Sequence, residues 1–104
     1  MINYDQGPYE LVLLIYADRD SINSPCSITK SYHLSYNSAK RTAQKLRREH
    51  LRSLWDYEKE KLFTHVRIYH NAFDDDGYET IEEVGKAFAI GGKQMTWDKT
   101  KRNV

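Results

Sequence analysis

The run from Ser38 to Lys61, SAKRTAQKLRREHLRSLWDYEKEK, restricts the fold of this chain more than any other stretch. It contains no Gly or Pro and is rich in strong helix formers, so the pattern predicts one helix of about six turns. At 100° per residue, Ala39, Ala43, Leu46, His50, Leu54 and Tyr57 share an apolar stripe. Its two alanines would let the N-terminal half lie close to a sheet, with the larger side chains filling in below. The opposite face carries Arg41, Gln44, Lys45, Arg48, Arg52, Trp55 and Lys59. Arg47 and Leu51 fall on one flank, Glu49 and Asp56 on the other.

Between Lys40 and Arg52, six Lys or Arg stand against one Glu, a local charge of +5 in a chain whose formal total is +1. Read as one helix, the segment opposes its own dipole. Basic residues crowd the early turns, and Asp56, Glu58 and Glu60 sit near the C-terminal end. Packing would have to hold such a helix, and cations placed at a disadvantage suit contact with a partner. The plain alternative is an ordinary solvated face. Trp55 beside the arginines suits a contact surface; turned inward with Leu51 and Leu62, it would only widen the core face.

At 104 residues the chain has room for one modest hydrophobic core. We read residues 1–97 as a single domain and 98–104 as a frayed, mostly basic tail. Eight Tyr and two Trp help to build a small core and also suit a binding surface. Cys26 is the sole cysteine, so no intrachain disulfide is possible, and a reducing, cytoplasmic setting is expected. MINYDQGPYE has neither the basic nor the apolar region of a signal peptide. The longest apolar run, Leu11 to Ala17, is too short to span a bilayer, so no membrane role is expected.

Around the helix the patterns predict strands. Tyr9 to Ala17 is nearly all apolar and reads as a central strand, covered on both sides by the helix and by aromatic residues. Asp18 to Ser27 is a polar loop; Asp18, Asp20 and Asn23 lack the glycine and final glutamate of a calcium loop. Ile28 to Tyr36 alternates as a strand with one wet side, antiparallel to the first, and Ser35 or Asn37 can cap the helix. Phe63 to Asn71 reads as a third strand, with Val66, Ile68 and His70 facing one way and His65, Arg67 and Tyr69 the other. Asp74-Asp75-Asp76-Gly77 is a turn. For Thr80 to Ile90, Thr80 and Glu83 form a capping box and Ile81, Val84 and Phe88 keep helical spacing. A short helix is favoured over a hairpin strand, although Gly85 argues against it. Lys93 to Trp97 would form a last edge strand. The expected class is α+β: a small antiparallel or mixed sheet of three to four strands, one long helix across a face, in the order β-β-α-β plus a short C-terminal helix or strand.

No chemistry-bearing motif stands out. His65 and His70 are five apart on a strand and so point to opposite faces, which disfavours a shared metal. His33, His50 and Cys26 are too scattered for a zinc pattern; His50 suits a core-edge position, and nothing supports Cys26 as a nucleophile paired with His33. Gly91-Gly92-Lys93 lacks the rest of a phosphate loop. No cofactor or metal is expected, and the chain is read as non-enzymatic.

Two charge clusters remain. The basic one is Arg41, Lys45, Arg48, Arg52 and Lys59 with Trp55; the acidic one is Asp74, Asp75, Asp76, Glu79, Glu82 and Glu83, −6 within ten residues. Such a dipolar layout suits a protein partner of complementary charge, itself one that handles nucleic acid. The basic helix face could instead bind nucleic acid directly, against which stands a chain balance of 16 basic to 15 acidic residues. Homo-oligomerisation, through a strand edge or by basic face to acidic patch, is a further alternative. In size and surface composition the chain has the character of small inhibitor or accessory proteins of phages and mobile elements, a likeness that maps onto no residue.

Overall fold

A computed structural model describes residues 7–18 and 25–98. The start of the lead-in (1–6), the middle of the first loop (19–24) and the tail (99–104) lie outside the described residues. Five strands form one antiparallel sheet: β1 (Tyr9–Tyr16), β2 (Ser27–His33), β3 (Phe63–Phe73), β4 (Glu79–Ile90) and β5 (Thr96–Asp98), in the order β2-β1-β3-β4-β5. Two helices, α1 (Tyr36–Arg52) and α2 (Asp56–Lys61), link β2 to β3. The long helix across a sheet is as expected; the sheet is larger by one strand and wholly antiparallel.

The predicted single helix divides at Ser53-Leu54-Trp55. Ser53 closes α1 with its amide and its hydroxyl donating to the His50 carbonyl, and Glu58 Oε1 accepts from the Trp55 amide at 2.9 Å to start α2. The break also reverses the dipole argument. α1 ends on His50 and Arg52, while α2 begins with Asp56 and Glu58 and ends with Lys59 and Lys61. The charges at the break, which oppose one long helix, are therefore well placed on two short ones, while Lys40 and Arg41 stay in the early turns of α1. Ser35, not Asn37, is the N-cap, accepting from the Ser38 amide at 3.0 Å.

One sheet face packs under α1. The registers align Leu11 with Ile68, Leu13 with Val66 and Ile15 with Thr64, and then Ile68, Val66 and Thr64 with Gly85, Ala87 and Ala89. Ala39 and Ala43 of α1 join these aliphatic side chains in the core, together with Leu62 and Met95. Each fully buried Leu, Ile or Val here contributes about 1.5–3 kcal/mol of transfer free energy. The helix lies over β1, β2 and β3, and its Tyr36 ring reaches across to β4, where Gly85 lies directly beneath it and a Cβ would come within 2.6 Å of the ring. Leu46, Leu51 and Leu54 pack at the margin. Tyr57, expected on the core stripe, is 66% exposed, because the chain has already left the α1 axis.

The stretch 80–90, for which a short helix was favoured, is strand β4, paired with β3 from Glu79 to Ile90. A ladder along the whole of β3 outweighs the local capping box, and the irregularity between Ile68 and Tyr69 makes room for Val84 opposite β3. In β2, Thr29, Ser31 and His33 are partly buried while Ile28 and Lys30 are exposed, so its more polar row is the sheltered one. The second sheet face, with Val12, Leu14, Tyr16, Phe63, His65 and Phe88, carries neither helix.

Candidate interaction surfaces

On α1, Arg41, Lys45, Arg48 and Arg52 are all exposed. Steps of four, three and four set them in one line about 17 Å long. Glu49 is the only acidic residue of α1. Other cations of this region are committed elsewhere. Lys40 lies over the Trp97 ring at 5.1 Å from its centroid, and Arg47 is buried. Trp55 and Lys59 do not continue the line, since the helix ends before them. Trp55 stands 72% exposed at the start of α2, and Lys59 pairs with Asp56 at 3.8 Å.

The acidic cluster sits on the β3–β4 hairpin and separates into different roles. Asp74 builds the turn: its Oδ1 accepts from the amides of Asp76 (3.0 Å) and Tyr78 (2.9 Å), with Gly77 at φ 84° completing the bend. Glu83 is drawn toward Arg67, 3.9 Å away, and Glu82 is half-buried opposite His70. Asp75, Asp76 and Glu79 remain as exposed charge, beside exposed Tyr78 and Ile81. β1 ends its pairing at Tyr9 opposite His70, so the hairpin beyond Asn71 runs past the central strand.

The two clusters lie at opposite ends. α1 begins with Tyr36 over Gly85 and reaches Thr64 and Gly91 through Arg47, so it runs away from the 74–78 turn. The structure thus brings together Arg41, Lys45, Arg48 and Arg52, and separately Asp75, Asp76 and Glu79.

Arg47, expected on a flank, is the residue that pattern reading missed. Its Nε donates to Thr64 Oγ1 at 3.1 Å, and its Nη2 to the carbonyls of Gly91 (3.0 Å) and Lys93 (2.6 Å). Burial lowers its pKa from the usual arginine value, yet the group remains a cation. A signal existed in the spacing, because Ala39, Ala43 and Arg47 are successive steps of four on the buried side.

Cys26 and His33 stand at opposite ends of β2, which separates them as a catalytic pair. The Cys26 thiol donates to the Ile15 carbonyl at 3.2 Å, and the His33 ring nitrogens meet the hydroxyls of Ser31 (2.7 Å) and Ser38 (3.3 Å). Cys26 instead shares a groove of about 430 Å³ with His50, Leu54, Tyr57, Glu58 and Leu62. Among the described residues no group of three or more His, Cys, Asp or Glu could hold a metal ion, and no helix is long and apolar enough to cross a membrane. Compared with family models, with curated proteins and with solved structures, the chain matches none.

Proposed function

We propose that this chain is a non-enzymatic protein-interaction module, in which the acidic hairpin tip docks into a positively charged groove and the α1 ridge meets acidic surface on the same partner. The observation that carries this reading is the hairpin end. Asp75, Asp76 and Glu79 are exposed beside Tyr78 and Ile81, on a two-stranded extension past the central strand. Charge there can steer association, and the aromatic and aliphatic side chains can supply contact area once docked. Positively charged grooves belong above all to proteins that handle nucleic acid, so the partner is drawn from that class, and occupying its groove makes the chain an inhibitor or accessory factor.

The test is capture of partners from the native host by the full chain, with and without nuclease, followed by mass spectrometry. A nuclease-resistant protein partner is expected. It should be lost with Asp75→Lys/Asp76→Lys/Glu79→Lys, which spares the turn-forming Asp74, and weakened with Arg48→Glu/Arg52→Glu. Retention of the partner at full strength by both folded variants would sink the reading.

Direct nucleic-acid binding is the second reading, supported by the line of four exposed cations with the acidic tip at the far end, where it repels phosphate least. If all four contact phosphates, the logarithm of the affinity for a generic duplex should fall with the logarithm of salt at a slope of about −3.6. Absence of any complex at low salt rules it out.

A further inference from the structure

The helix-free face of the sheet has a chemistry unlike either charged surface. Register assigns to it Tyr32, Lys30 and Ile28 of β2; Glu10, Val12, Leu14 and Tyr16 of β1; Tyr69, Arg67, His65 and Phe63 of β3; and Glu83, Lys86, Phe88 and Ile90 of β4. These fall into rows. Glu10 and Glu83 lie in the row nearest the hairpin tip, and Lys30, Arg67 and Lys86 in the next, where Asp98 of β5 aligns with Lys86. The remaining rows, toward the opposite end, hold Ile28, Leu14, His65 and Phe88 and then Tyr16, Phe63 and Ile90. Ile28 is 60% exposed, Phe88 51% and Ile90 40%. An exposed apolar patch bordered on one side by charge is unusual on a face meant only for water.

Charge decides which occupant fits. Lys30, Arg67 and Lys86 balance Glu10, Glu83 and Asp98, so this face sums to zero. Its charges are also held within the face: Arg67 lies 3.9 Å from Glu83, and Glu10 accepts from the Tyr32 hydroxyl at 3.3 Å. The α1 ridge and the hairpin tip each carry one sign, and each would repel its own copy. Only the sheet face can meet itself without repulsion, as an isologous two-fold contact requires. Its size is adequate. At about 4.8 Å by about 3.3 Å per residue, eight residues each of β1, β3 and β4 with the seven of β2 and the three of β5 make a planar footprint of about 540 Å² before side-chain relief. A stable interface uses about 800 Å² per partner, so the match is to a weak dimer.

We propose that the open face of the sheet is a self-association surface, on which a second copy of this chain packs sheet against sheet through Ile28, Leu14, Phe63, Phe88 and Ile90, with Tyr16 already buried within the single chain. The dimer directs both α1 ridges outward, one on each side, and so doubles the charged surface available to a partner. It is independent of what that partner is.

Sedimentation velocity on the full chain from about 5 to about 500 μM tests this, the range a small interface calls for. A dimer with a micromolar dissociation constant is expected, and it should persist in about 1 M salt, where surface ion pairs are screened. Ile28→Glu/Phe88→Glu should weaken it at least about tenfold, while Arg48→Glu/Arg52→Glu leaves it unchanged. A monomer throughout the range overturns the proposal. So does a dimer that salt or the arginine variant dissolves, which would be a contact of ridge to hairpin. If the sheet variant fails to fold, the wild-type methyl spectrum decides: concentration-dependent shifts at Ile28, Leu14 and Ile90, with Leu46 and Leu51 still, support the sheet face, and the reverse pattern refutes it.

Discussion

The Arg47 guanidinium ties three separate pieces of chain together: α1, the Thr64 position of β3, and the loop from Gly91 to Lys93. Removing it leaves a buried hydroxyl and two carbonyls without their donor, and each orphaned group costs about 1–3 kcal/mol. Arg47→Met, of similar length, is therefore expected to destabilise the fold by about 2–4 kcal/mol. Arg41→Met on the exposed ridge should cost less than about 0.5 kcal/mol. Thermal unfolding followed by circular dichroism compares the two directly. Two histidines make a second prediction at this scale. Burial lowers the pKa of His33, and burial together with Arg67 and Lys86 lowers that of His65 against the opposing pull of Glu83. A folded pKa below the unfolded value means that the unfolded chain takes up protons first as pH falls. Stability from this source is complete above about pH 6.5 and is lost below it. The melting temperature should decline between about pH 7 and pH 5.5, and His33→Gln/His65→Gln should flatten that decline. Unchanged pH dependence in a folded double variant would assign the effect elsewhere.

Among the elements, the division of the helix has the most consequence. Ser53 and Trp55 end one helix and begin another within three residues, and the charges at each new terminus fall on the favourable side of the dipole. The reversed charge layout was the sequence sign of a break, since a 24-residue helix would tolerate it only at a cost. Strand β4 illustrates the opposite failure. Thr80 and Glu83 do spell a helix start, but β3 offers a long ladder, and Gly85 leaves the space that the Tyr36 ring of α1 fills. Gly85→Ala tests that fit. Its added Cβ would meet the Tyr36 ring Cε1 at 2.6 Å and hydroxyl at 2.7 Å, so a loss of about 1–3 kcal/mol is expected. Tyr36→Ala/Gly85→Ala should show strong coupling in a double-mutant cycle, because the first change removes the obstacle to the second. Simple additivity would mean that Tyr36 moves aside freely.

For the molecule as a whole, three surfaces of distinct sign follow from one topology. α1 presents cations on its outer line, the β3–β4 hairpin presents anions at the far end, and the open sheet face has balanced charge, with apolar rows in the half away from the hairpin tip. Reversal of Asp75, Asp76 and Glu79 should leave the melting temperature within a few degrees of wild type, about 0.5 kcal/mol or less. None of the three side chains takes part in a hydrogen bond that shapes the turn; Asp74 does. Asp74→Ala should instead loosen the hairpin, which amide hydrogen exchange across Phe73 to Thr80 would record as faster exchange. Equal effects from Asp74→Ala and from the triple reversal would show that net charge, not the turn geometry, governs the hairpin.

The sequence by itself determined those features that local chemistry dictates: a long apolar strand from Tyr9, a helix start capped by Ser35 or Asn37, a turn at Asp74–Gly77, the alternation of β3, and the existence of a basic and an acidic cluster. Each depends on residues close in the chain, where spacing and side-chain type suffice. Tertiary structure decided the rest. Whether 80–90 became helix or strand depended on a partner strand, and whether Arg47 turned inward depended on carbonyls more than forty residues away. The six acidic residues read alike in sequence, yet a turn, an ion pair and a half-buried position withdraw Asp74, Glu83 and Glu82 from the exposed tip. Likewise, the apolar rows of the open face come from four strands, each contributing one or two side chains. Only β1, with Val12, Leu14 and Tyr16, announces an apolar second side in the sequence; the register with the other strands assembles the patch.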